Sequence, residues 1–320
     1  MLEKRWATPE DRNDIIDFID YIFSKAHRPH DFATLLPKLY GGDADTTPHH
    51  FIIKEDGKIL AAILAYPVKM TIAGEELMTI GVGSVSTHPR ARGRGFMDDL
   101  LAAVDAHAKE LDASFAVLGG DRQRYGYYGF DLAGCQLVSS LGTHNARHAF
   151  KAADTTGLSL VPMQQAHVPF AARLHAAQPS FCERSEETFV TILKNWSNNP
   201  MAILRGGQMI GYCVINPISG GQFVSELLLK KEEDCPAVLR LMSETYGNLS
   251  ILTPPWHKER VALLTGVCQT FSLTPNHMMK FYQPERVKAA LHKLGANGDS
   301  LHFDGLTPPL PLYVAPADGV

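Results

Sequence analysis

The order of apolar and polar positions divides the chain into helical and strand-like stretches. In "TPEDRNDIIDFIDYIFSKA" the residues Ile15, Ile16, Phe18, Ile19, Ile22 and Phe23 form a stripe at helical spacing. Thr8 stands at the N-cap, Pro9 at the first helical position, acids fill the first turn, and Lys25 lies near the end. This pattern predicts an amphipathic helix. "HHFIIKEDGKILAAILAYPVKMTIAGEELMTIGVGSVSTHP" reads as three strands with turns at "EDGK" and "AGEE". Asp56-Gly57 is the stronger hairpin signal. A helix is expected from about Gly95 to Leu111, followed by the short apolar strand "ASFAVLGGD". The turn-rich aromatic segment "RQRYGYYGFDLAG" then leads to a strand near Gln136 to Leu141.

"GTHNARHAFKAADTTG" lacks an apolar face and reads as an inter-domain linker. Beyond it the order partly recurs. "LSLVPM" is strand-like, and helices are expected in 164–177 and in "SEETFVTILKNW", capped by Ser185. A hairpin on Gly206-Gly207, the strand "GQFVSELLLK", the helix "EDCPAVLRLMSETYG" and the strand "NLSILTP" complete it. The repeated order points to a diverged duplication. The expected division is a first domain over 1–142, a linker over 143–155, a second domain over 156–290 and a tail over 291–320. "LTPPLPLYVAPADGV" is rich in proline yet apolar. A disordered tail should be polar, so this one is expected to pack near the domain interface.

Composition adds boundaries more than content. With 320 residues, 45% hydrophobic and 20% charged, the chain is ordinary soluble globular protein of a length that suits two domains. A net charge of −4 gives no global field for nucleic acid, so any basic function must be local. Cys135, Cys182, Cys213, Cys235 and Cys268 show no metal-binding spacing and read as reduced thiols. The N-terminus lacks the apolar core of a signal peptide, and no apolar run reaches membrane-spanning length. A cytoplasmic protein with no membrane partner and no metal is expected. His88, His107, His144, His257 and His277 read as surface or core histidines, and Trp196 and Trp256 as core, with substrate walls as the alternative.

The local basic feature is "SVSTHPRARGRGFMDDLL". A strand runs into a turn carrying Arg90, Arg92, Gly93, Arg94 and Gly95, and the turn runs into a helix. Glycine lets the backbone approach a ligand closely, and the first helical amides lack intrahelical partners, so phosphate or pyrophosphate fits here. A solvated basic turn that only starts a helix is the alternative. The phosphate-loop and dinucleotide-binding patterns are both absent.

At these residues the chain resembles the GNAT acetyltransferase superfamily, whose acetyl-CoA motif is a strand, then R/Q-x-x-G-x-G/A, then a helix. Arg92 takes the first position and Gly95 the first glycine, while Met97 stands where a small residue is expected. The same departure occurs in the enhanced intracellular survival acetyltransferases, and "DRQRYGYYGFDLAG" is similar to their tyrosine segment. The motifs span about residues 45–135, and the tandem arrangement extends loosely to about 290. The lipid-carrier-like third domain of that subgroup has no room in the remaining residues. The resemblance implies an α+β fold of two tandem GNAT-like domains, each a mixed, mostly antiparallel sheet flanked by helices, the second diverged.

It further implies acetyl-CoA as co-substrate and a small-molecule or peptide amine as acceptor, joined in a ternary complex. Val85, Ser86 and Thr87 would belong to the strand facing the pantetheine arm. Amides of Arg92, Gly93, Arg94, Gly95, Phe96 and Met97 would cradle the pyrophosphate. Tyr125 would protonate the leaving sulfur, and the Val320 carboxylate would accept the amine's proton. Asp318 and Asp121 are alternative bases, and the tail has the alternative role of a staple between domains. The acidic start of the second domain's helix, "LLLKKEEDCPAV", disfavours phosphate, so that domain is expected to shape the acceptor cleft or an oligomer interface. Related proteins assemble, which leaves a homo-oligomer open. The rival readings are a non-catalytic CoA-binding sensor and a structural tandem-domain protein.

Overall fold

The computed structural model describes residues 1–26, 29–305 and 309–320. Its frame is two mixed sheets flanked by helices, the expected α+β arrangement of tandem GNAT-like units. The first sheet runs, in spatial order, through Leu2–Trp6, His50–Glu55, Lys58–Ile72, Glu75–Thr87, Phe115–Leu118, His277–Phe281 and Asp131–Ala133, with Ser180–Cys182 added beside Lys58–Ile72. The second runs through Thr270–Thr274, Gln136–Leu141, Asn248–Thr253, Gly221–Leu229, Gln208–Ile218, Asn199–Arg205 and Leu158–Pro162. Each holds one parallel pair joined through a helix. These pairs are Glu75–Thr87 with Phe115–Leu118 and Gly221–Leu229 with Asn248–Thr253. The expected hairpins turn on Asp56-Gly57 and Gly206-Gly207, all four residues at positive φ.

Two boundary expectations are corrected. Gln136–Leu141, assigned to the first domain, pairs within the second sheet. His277–Phe281, assigned to the second, inserts between Phe115–Leu118 and Asp131–Ala133 of the first. The halves thus exchange strands. The segment expected as a linker folds as helix Thr143–Ala149. Its Ala146 and Phe150, four residues apart on one face, are buried in the second core. A two-residue apolar face is too short to show as periodicity.

Helices cover both faces of the first sheet. Phe96, Leu100, Leu101 and Val104 pack on Ile53, Ile63, Ile80 and Val82. Ile15, Phe18, Ile19, Leu36 and Leu39 pack on Ile52, Ala62 and Leu64 of the other face. Leu310, Leu312 and Val314 of the apolar tail join a core with Met70, Leu77, Phe115 and Val287. Among the described residues no helix is long and apolar enough to cross a membrane.

One local irregularity opens the first sheet. The register of Lys58–Ile72 against Glu75–Thr87 shifts between Ala62 and Leu64, and Ser84 there adopts φ 51°. This is a bulge, which bends the strand and re-aims its side chains. Parallel pairing with Phe115–Leu118 spans only Thr79 to Gly81. Beyond Gly81 the two strands form a fork.

Candidate active site

The basic turn leaves the fork's first arm. Pro89–Ala91 is a single 3-10 turn whose preceding His88 accepts from the Arg90 amide at 3.2 Å. Gly93 and Gly95 follow at φ 77° and 76°, a conformation costly for residues with a Cβ. Gly95 is the N-cap of helix Phe96–Glu110. The first bond of that helix runs from the Asp98 amide to the Gly95 carbonyl, so the Phe96 and Met97 amides precede the ladder. Space is open where a Cβ at Gly93 would stand.

A cleft of about 610 Å³ lies over this turn, bounded by Val85, Ser86, Thr87, Arg92, Gly93, Gly95, Phe96, Met97 and Tyr125 among others. The sequence-derived set is therefore brought together, with one departure. Arg94 is directed elsewhere: its guanidinium makes two bonds to Glu55, at 3.0 and 2.7 Å, and lies over the Phe96 ring. Met97, the residue that breaks the general motif, packs its side chain against the core below the cleft. Phe96 is buried in that core. Asp98 accepts from the Tyr128 hydroxyl at 2.7 Å, tying the helix start to the aromatic segment.

Tyr125 ends the short helix Arg122–Tyr125, whose N-cap Asp121 accepts from the Gln123 amide at 2.9 Å. Its ring is buried, and burial, before the opposing influence of Arg124, raises its pKa. The phenol thus stays protonated at neutral pH. A Cβ on Gly120 would meet the ring at 2.4 Å, so this glycine makes room for Tyr125. That requirement was invisible in "VLGGD".

A second cleft of about 230 Å³ continues from the first, sharing Phe23, Val85, Arg124 and Tyr125. It fills the fork itself, between Val82–Val85 and Leu118–Asp121, and is closed by Phe32, Leu36, Trp196 and Val320. Val320 and Tyr125 therefore border one cavity. Val320 sits on the floor left by two glycines: a Cβ at Gly81 would stand 2.8 and 2.9 Å from its methyl carbons, and one at Gly83 would stand 3.1 Å from its carboxyl carbon. The tail is held from both halves. Lys38 Nζ donates to the Ala317 and Gly319 carbonyls at 2.8 and 2.6 Å, and Asn195 donates to Ala317 at 3.1 Å. Burial pulls the Lys38 pKa down to about 8.

Asp318, one of the alternative bases, is instead locked to Arg184 by bonds of 2.8 and 2.9 Å. Asp121 stays at the cleft edge as a helix cap. Trp196, read from sequence as core, is 43% exposed and forms a cleft wall with φ 59°. Sequence reasoning also missed Tyr40, His50 and Ser84, whose hydrogen bonds lie behind the bulge. Their partners are distant in sequence, and no local motif marks them.

Comparison with known proteins agrees with this geometry. Residues 3–133 match the family profile described as an acetyltransferase (GNAT) domain. A probable N-acyltransferase from Enterococcus faecalis superposes with a TM-score of 0.69 at 15% identity, covering 88% of this chain and 73% of that one. Eis1 from Mycobacterium abscessus gives 0.62 at 12% identity, covering 91% and 76%. N-myristoyltransferase of Saccharomyces cerevisiae with bound myristoyl-CoA gives 0.50 at 10% identity, covering 87% and 82%. No curated protein sequence matches the chain. Profile and fold together define an acyltransferase. Residues 3–133 thus form a GNAT acetyltransferase domain, and the chain as a whole shares the fold of Eis1, its two sheets fitting tandem domains.

Proposed function

We propose that the protein transfers the acetyl group of acetyl-CoA directly to a primary amine within a ternary complex. The observation that carries this reading is the continuity of the two clefts through Tyr125, with the glycine turn at one end and Val320 at the other. The pyrophosphate would rest on the amides of Gly93, Gly95, Phe96 and Met97, aided by Arg92. The pantetheine arm would lie along Val85, Ser86 and Thr87, placing the thioester at the fork.

The amine nitrogen attacks the thioester carbon, and a backbone amide of the bulged strand stabilises the developing oxyanion. The C–S bond breaks as the Tyr125 hydroxyl gives its proton to sulfur, releasing CoA as the thiol. The amine's proton passes to the Val320 carboxylate, which among the described residues lining the fork is the anionic group not committed to a cap or an ion pair. Positioning two substrates in adjoining clefts supplies much of the rate, up to roughly 7–11 kcal/mol in favourable cases. The second domain contributes Trp196 to the acceptor wall and holds the tail in place. Five free cysteines suit a reducing compartment such as cytoplasm.

The test is release of free thiol from acetyl-CoA against a panel of primary amines. Amine-dependent release with stoichiometric amide product is expected. Tight acetyl-CoA binding without release to any amine would replace this reading with a CoA-binding sensor.

A further inference from the structure

Behind the bulge lies a buried chain of three hydrogen-bonding side chains. His50 Nδ1 is 2.9 Å from the Thr46 carbonyl oxygen, His50 Nε2 is 3.1 Å from Tyr40 Oη, and Tyr40 Oη is 2.6 Å from Ser84 Oγ. All three residues are buried, and Ser84 alone borders the acceptor cleft.

The direction of each bond follows from chemistry. A carbonyl only accepts, so Nδ1 carries the imidazole proton. Burial keeps His50 neutral by lowering its pKa to about 4, so Nε2 has only a lone pair to offer. Tyr40 must then donate to Nε2, which leaves its oxygen to accept from Ser84. The Ser84 proton is thereby committed inward, and the hydroxyl can present only lone pairs to the cleft. The positive φ at Ser84 directs this side chain from the bulge.

We propose that Ser84, oriented by Tyr40 and His50, is the hydrogen-bond acceptor that holds an N–H of the acceptor amine at the fork. The inference rests on the acetyl-transfer reading and deepens it. Ser84 is a substrate-binding residue, while Tyr40 and His50 are positioning residues. The chain is no proton sink, because a neutral buried imidazole with its proton fixed on the Thr46 carbonyl has no drive to become charged. Phe23, Phe32 and Trp196 line the same cleft, so the amine recognised carries an apolar body.

The experiment compares binding of 2-phenylethylamine and its N,N,N-trimethyl analogue, which lacks any N–H, to the full chain saturated with CoA. Calorimetry reads this without turnover. The wild-type protein should prefer the primary amine by about three- to tenfold. Ser84→Ala and Tyr40→Phe should each abolish the preference, and the double variant should lose no more than either, because the two act through one bond. His50→Gln, whose amide oxygen can accept from Tyr40, should retain most of it. CoA affinity should be unchanged throughout. No preference in the wild type, or multiplied losses in the double variant, would overturn the proposal; if Tyr40→Phe does not fold, Ser84→Ala decides. Because the readout is binding, a protein that shows the preference but releases no thiol would sink the acetyl-transfer reading and leave Ser84 as an amine-binding group without an acceptor role.

Discussion

The two sheets contain the same fork and use it in opposite ways. In the first, a bulge at Ser84 precedes a glycine turn, and the space between the arms is a cleft. In the second, the register of Gln208–Ile218 against Gly221–Leu229 slips between Val214 and Ile215, leaving Ser225 as the extra residue. Parallel pairing with Asn248–Thr253 likewise ends early, at Val224. Here the turn is acidic. Glu232 is bound to the wholly buried Arg260 and Asp234 to Arg205 at 3.0 Å, so the helix start is already neutralised by its own chain. The fork is filled by Arg184, which bonds Glu226 twice at 3.0 Å and also grips Asp318 of the tail. Tyr212 donates to the same Glu226. Burial alone would raise both carboxyl pKa values, yet Arg184 holds them below the ordinary range. A backbone device that opens a cleft in one half is thus closed in the other by the chain's own ion pairs, Asp318 of the tail among them. The difference lies in side-chain charge and in two glycines.

The strongest way to break this contrast is at Tyr125. Tyr125→Phe should lower kcat by about 10²- to 10⁴-fold, the usual range for a lost general acid, with acetyl-CoA affinity unchanged. Because burial raises its pKa, the wild-type alkaline limb should fall above the ordinary phenol value near 10, as followed by thiol release across pH. An unchanged turnover number in the variant would remove the acid role.

The second test is on the filled fork. Arg184→Ala strands two buried carboxylates and should cost about 3–5 kcal/mol in urea unfolding at neutral pH. The sign of its pH dependence follows from the depressed carboxyl pKa values. In the wild type this stabilisation is present above the unfolded carboxyl range and is lost as pH falls through the folded values. The gap between variant and wild type should therefore narrow on acidification. A gap independent of pH would mean that the loss is one of packing.

How far the sequence revealed this contrast depended on whether the determinant was local. The glycine turn, the hairpins at Asp56-Gly57 and Gly206-Gly207, and the acidic start near Glu232 are statements about neighbours in sequence, and each is where the pattern put it. The tyrosine segment was legible through its family resemblance. The strand exchange was not, because nothing in "NHMMKFY" distinguishes one sheet edge from another; its partners at 115–118 and 131–133 are set by tertiary packing. Arg184 lay unnoticed for the same reason, its acids being 42 and 134 residues away. Arg94 shows why the expectation at the turn was placed on backbone amides: among three alternating arginines, side-chain direction assigns this guanidinium to Glu55.

The seat of the tail offers a milder test. Gly81→Ala puts a methyl group within about 3 Å of both Val320 methyl carbons, a distance that real Cβ contacts do not tolerate. The terminal side chain is the part free to shift. If the Val320 carboxylate is the base, kcat should fall about tenfold, less than the roughly 10²-fold or more expected for its removal because the base is shifted and not lost, with acetyl-CoA affinity and unfolding midpoint nearly unchanged. Full activity would leave the tail as a staple between the halves.

The smallest expected effect separates backbone from side chain at the open fork. Arg94 is an exposed partner of Glu55, and such pairs contribute little. Arg94→Ala should leave acetyl-CoA affinity within about threefold of wild type, since its guanidinium faces away from the cleft. Arg92→Ala should weaken affinity more, and the loss should shrink with added salt, because Arg92 borders the cleft without leaving solvent. Equal losses at the two positions would mean that a diffuse basic field, not the amides released by Gly93 and Gly95, holds the anion. In that case the two forks would differ only in net charge, and grafting arginines onto 231–234 would be enough to make the second one bind.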